Sequence, residues 1–114
     1  LDRFGRMMAR NVEQAHFLGD LITKQPELEL CAPIGLDIVC YRFNPGGLNA
    51  ERLERLNRDI LSELHEQGIA APSYTTLKGV YCLRVAIANH RSRFEDFELL
   101  VRETLRIGRE LDKV

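Results

Sequence analysis

"SYTTLKGVYCLRVAI", residues 73–87, decides the fold. Two runs rich in β-branched and aromatic residues flank Lys78-Gly79, a two-residue turn signal that joins antiparallel strands. Alternation along the second arm sends Tyr81, Leu83, Val85 and Ile87 to one side and Cys82, Arg84 and Ala86 to the other. The apolar set needs a covering layer, which the rest of the chain must supply.

Upstream, Leu28 and Leu30 alternate with acids as a short edge strand, and Ile38 to Phe43 read as a denser strand ended by Asn44-Pro45-Gly46-Gly47. The covering elements are three helices. The first carries Phe4, Met8, Val12, Ala15, Leu18 and Leu21 or Ile22 at helical spacing and stops near Lys24, before Pro26. Asn49 caps the second, whose stripe is Leu53, Leu56, Ile60 and Leu64, with Gly68 as its stop. Its charges, Arg52, Glu54, Arg55, Arg58, Asp59 and Glu63, read as solvent-facing. Ser92 to Glu95 fits a capping box for the third, with Phe94, Phe97, Val101 and Leu105 on one face. The expectation is an α+β fold: a small, mostly antiparallel sheet of about four strands with helices on one face. Residues 1–25 form a leading helix and residues 26–114 the domain proper. A helix already in progress at Leu1 leads us to expect that the sequence begins inside a larger protein.

The 114 residues suffice for one core. A formal net charge of -1 gives no global field for nucleic acid or an anionic membrane. No run reaches the length of a membrane helix, and the start has no signal-peptide pattern. Cys31, Cys40 and Cys82 lie in or beside apolar stretches without metal spacing, which reads as reduced core thiols in a cytoplasmic protein. His16, His65 and His90 share no short ligand spacing, so no metal is expected.

Arg84 is the residue that fits least well, a permanent charge inside a strand. Two readings follow from the residues alone: a solvated arginine on the open face of the sheet, or a guanidinium aimed at an anion supplied by a covering surface. Ser73, Tyr74, Thr75 and Thr76 offer hydroxyls nearby.

"CAPIGLDIVCYRFNP" (31–45), "LN" (48–49) and "GIAAPSYTTLKGVYCLRVAIANHRSRFEDFELL" (68–100) together resemble the C-terminal domain of the group II pyridoxal-phosphate-dependent amino acid decarboxylases. Cys40-Tyr41-Arg42-Phe43, Leu83 to Ile87 and Asn89-His90-Arg91-Ser92 place the resemblance nearest the aromatic-amino-acid and tyrosine branch. It implies the small domain of a fold-type-I enzyme, normally a homodimer, whose pyridoxal phosphate is held by a lysine of a large domain. It further implies a lyase that turns an L-amino acid, aromatic by similarity, into its amine and carbon dioxide. The isolated 114 residues are expected to be inactive and to bind no cofactor. Arg84 matches the family arginine that faces the cleft and is associated with the substrate carboxylate. Tyr74, Thr75, His90 and Arg91 are the further cleft or interface candidates. Lys78, at a hairpin tip, does not replace the cofactor lysine. The alternative is a non-enzymatic α+β binding or assembly module.

Overall fold

A computed structural model of the chain describes residues 3–35, 37–69, 72–87 and 94–113. The elements run α1 (Arg3–Thr23), β1 (Leu28–Leu30), β2 (Ile38–Phe43), α2 (Ala50–Glu66), β3 (Ser73–Leu77), β4 (Val80–Ala86) and α3 (Phe94–Asp112). The capping box at Ser92 lies outside the described residues. The four strands pair antiparallel in the order β1-β2-β4-β3, which leaves β1 and β3 as edges.

Lys78 and Gly79 both take positive φ, +49° and +81°, the primed turn whose twist suits a two-residue hairpin. This turn sets the register, pairing Leu77 with Val80 and, four residues further down β3, Ser73 with Arg84. Asn49 caps α2 by accepting the Arg52 N–H at 2.8 Å. At the other end Gly68, φ +69°, lets the chain reverse, with Gly68 N–H on His65 O and Ile69 N–H on Leu64 O.

All three helices lie on one face. Tyr41, Phe43, Leu83 and Val39 from the sheet meet Ala15, Leu18 and Ile22 of α1, Ile60 and Leu64 of α2, and Leu100 and Ile107 of α3 in a single core. The C-terminal half of α1 is therefore part of that core, so residue 25 divides the chain path and not the packing. Gly19 and Gly108 allow close approach. A Cβ on Gly19 would sit 2.3 Å from Ile34 Cδ1, and one on Gly108 2.8–2.9 Å from the Phe43 ring.

Two expectations need correction. Phe94 is not a core residue: it is 40% exposed, its ring tilted against that of Phe17 with centroids 4.5 Å apart. Cys31 and Cys40 are half-buried on the helix-free face, so only Cys82 is a buried cysteine. Cys82 itself is buried although alternation puts it on that same bare face, where the Cys31 side chain lies against it and Thr75 stands opposite.

Candidate functional site

The helix-free face of the sheet is read from the register. One row across the strands contains Glu29, Arg42, Cys82 and Thr75, and the next contains Cys40, Arg84 and Ser73. Cys31 extends the second row, its N–H donating to Cys40 O at 2.9 Å. The two rows differ in how their arginines are treated.

In the first, Arg42 Nε donates to Glu29 Oε1, and the same oxygen accepts from Asn44 Nδ2 at 3.1 Å. That cation is neutralised locally and ties the edge strand β1 to β2. In the second row, Arg84 is half-buried, and no carboxylate of the described residues pairs with it. Its flanking partners, Cys40 and Ser73, are small and uncharged. A guanidinium held against a protein surface without an acid retains its full demand for an anion. Among the described residues, Arg84 is therefore a half-buried cation on this face without a paired carboxylate.

Two of the thiols are held toward their protonated form. Burial pushes the Cys31 thiol well above its ordinary value, helped by a hydrogen bond with Cys82. Burial and then Cys82 raise Cys40 as well, against the opposing pull of Arg84. A protonated thiol neither attacks nor ligates readily. Among the described residues no group of three His, Cys, Asp or Glu side chains could hold a metal ion. His65 is engaged structurally, its Nε2 lying 2.7 Å from Pro72 O. No helix among the described residues is long and apolar enough to cross a membrane.

Two of the further candidates separate. Thr75 faces the bare side directly opposite Cys82. Tyr74 projects to the helix side, stacked on Tyr81 at 5.3 Å, while Arg58 lies over the Tyr81 ring at 4.6 Å. The sheet therefore stands between Tyr74 and Arg84. His90 and Arg91 lie outside the described residues. Ser73, not singled out beyond its hydroxyl, is the β3 residue that meets Arg84. Counting outward from the two-residue turn would have found it, since each step back along β3 matches one step forward along β4.

Lys24, Lys78 and Lys113 are exposed, at the end of α1, the hairpin tip and the end of α3. None lies on the bare face beside Arg84. Among the described residues no lysine stands beside Arg84 in the position a cofactor's Schiff base would need.

A four-stranded antiparallel sheet covered by helices on one face matches the fold of the C-terminal domain of fold-type-I decarboxylases. The match to solved structures is close. Catharanthus roseus tryptophan decarboxylase in complex with L-tryptophan superposes with a TM-score of 0.81 at 19% identity, over 93% of this chain and 22% of that one. The glutamate decarboxylase domain of a Vibrio parahaemolyticus protein gives 0.81 at 26%, again over 93% of this chain and 22% of the other. In sequence, a tryptophan decarboxylase of Camptotheca acuminata is 30% identical over 78 residues, 68% of this chain and 16% of the relative. The chain thus spans under a quarter of the length of the proteins it matches. No family model matches it. The chain is homologous, over this domain, to the group II pyridoxal-phosphate-dependent decarboxylases, on the aromatic-amino-acid and tyrosine side of that family.

Proposed function

We propose that this chain is the C-terminal domain of a pyridoxal-phosphate-dependent decarboxylase that converts an aromatic L-amino acid to its amine and carbon dioxide. Its partners are the large domain of the same protein and, in the assembled enzyme, a second copy. The observation that carries the reading is Arg84, half-buried on a bare sheet face with no acid among the described residues to neutralise it. When bound to the large domain, the cofactor supplies the electron sink for the reaction. This chain's part is orientation. Arg84 presents a planar fork to the substrate carboxylate and holds it in the geometry from which carbon dioxide leaves. The bare face also closes the cleft and excludes water. A contact that tightened on the ground-state carboxylate would slow its loss, so a single fork with small neighbours suits the task better than a cluster of cations.

The aromatic substrate class is supported by the similarity to tryptophan and tyrosine decarboxylases. The test is amine formation from L-tryptophan, L-tyrosine and L-phenylalanine by the complete, cofactor-loaded protein, beside the isolated 114-residue chain. Amine from the complete protein alone is expected. Stoichiometric borohydride-stable labelling of Lys24, Lys78 or Lys113 in the isolated chain, or no turnover of any amino acid by the complete protein, would overturn the reading.

A further inference from the structure

We propose that Ser73 is the second donor of the Arg84 anion site, its hydroxyl hydrogen-bonding to the same carboxylate that the guanidinium receives. The inference rests on the reading of Arg84 above and extends it to a residue on another strand.

The register places Ser73 directly opposite Arg84, and the tight Lys78-Gly79 turn leaves no slack by which that register could slip. Opposed residues have Cβ atoms about 5 Å apart. An anion oxygen seated about 2.8 Å above the Ser73 hydroxyl is within reach of a guanidinium laid across the strand pair. Ser73 is exposed, and β3 is an edge strand, so a ligand can approach over it from the side. No hydrogen bond engages its hydroxyl within the described residues.

Chemistry narrows the ligand. A carboxylate has lone pairs for about four donors, and the arginine fork supplies two, leaving room for a hydroxyl. On the other side of Arg84 stands Cys40, whose thiol burial keeps protonated. A thiol is a weak donor, so Ser73 is the strong neutral donor in the row. The next row serves as an internal contrast: there Glu29 takes up the charge of Arg42, whereas no carboxylate of the described residues takes up that of Arg84. A monoanionic carboxylate matches that charge.

The experiment uses the complete, cofactor-loaded protein and 3-phenylpropionate, an aromatic carboxylate with no amino group to react with the cofactor, titrated by calorimetry. Ser73→Ala is expected to weaken binding about tenfold, the scale of one hydrogen bond to a charged group, and Ser73→Thr to stay within about twofold of wild type. Ser73→Asp is the sharper variant. It sets an acid opposite Arg84, so binding should fall below that of Ser73→Ala while the melting temperature is unchanged or raised. Ser73→Ala and Ser73→Asp binding as wild type does, while Arg84→Lys binds weakly, would overturn the role of Ser73 and leave that of Arg84 standing. Binding indifferent to Arg84→Lys would overturn both. Binding that depends on both residues, in a protein that forms no amine from any amino acid, would establish the anion site and remove the decarboxylase reading.

Discussion

The side-chain carboxamide of Asn57 makes both backbone hydrogen bonds of Phe43: Oδ1 accepts the Phe43 N–H at 2.8 Å and Nδ2 donates to the Phe43 carbonyl at 2.9 Å. Ile87 N–H donates to Asp37 O at 2.7 Å, and alternation of hydrogen-bonded pairs from there points the Phe43 groups toward Tyr81. Pairing of β2 with β4 nevertheless ends at Tyr41 and Leu83. Asn57 has taken the place of a strand.

Because Asn57 is fully buried and also donates to Leu53 O at 2.9 Å, removing its amide strands several backbone groups in the core. Asn57→Leu, similar in size, should lower stability by about 2–4 kcal/mol, the cost of leaving buried partners unsatisfied. Urea denaturation of the two proteins measures it. A loss below about 0.5 kcal/mol would show that β4 or water takes over the bonds.

Gly108 sets helix propensity against packing. Alanine gains about 1 kcal/mol in a helix interior, yet its methyl would lie 2.8–2.9 Å from the fully buried Phe43 ring. Overpacking of a closed core costs about 1–3 kcal/mol. Gly108→Ala should therefore melt lower than wild type, and a higher melting temperature would mean that α3 can lift off the sheet.

Lys78 holds a left-handed φ of +49° with an ordinary side chain. Asparagine accepts that region more readily and leads at this position of the primed turn. Lys78→Asn is expected to stabilise by about 0.5–1 kcal/mol, read as a shifted denaturation midpoint with unchanged slope.

Alkaline pH should weaken the fold through Tyr41. Burial raises its pKa, opposed only in part by the hydrogen bond to Thr104. Thr104 donates its own proton to Leu100 O at 2.7 Å, so the Tyr41 hydroxyl is the donor in the 2.9 Å contact between them. Below the unfolded tyrosine value of about 10 the group is neutral in both states, and above it only the unfolded chain ionises. Stability should thus fall as pH rises past about 10, by up to about 1.4 kcal/mol per pH unit from this residue. Tyr41→Phe should flatten that part of the profile. An unchanged alkaline slope would assign the loss to other groups.

What could be read in the residues divides along physical lines. The hairpin, the Asn49 cap and the apolar stripes follow from local rules, since turn dihedrals, capping hydroxyls or amides and periodicity act within a few positions of one another. Asn57 lies among Leu53, Leu56 and Ile60, yet a polar residue on a buried stripe announces itself only through the partner it finds 14 residues away. Alternation tells which side of a sheet Cys82 faces, but not that it is buried there with the Cys31 side chain against it. Tyr74 belonged to a run of four hydroxyl residues, and alternation separates it from Ser73 once the hairpin register is counted from the turn. No described element covers the bare face, so the role of Arg84 was legible only through resemblance and through the lack of a paired acid among the described residues.

The most direct test of the account is steady-state decarboxylation by the complete protein carrying Arg84→Lys, with cofactor absorbance recorded on the same samples. The lysine keeps the charge and loses the planar fork. Retained cofactor with turnover reduced on the order of a hundredfold, the scale of one lost orienting contact, is the expected result. Near-normal turnover in Arg84→Lys and in Arg84→Ala would contradict the account and return Arg84 to a solvated residue on a sheet surface.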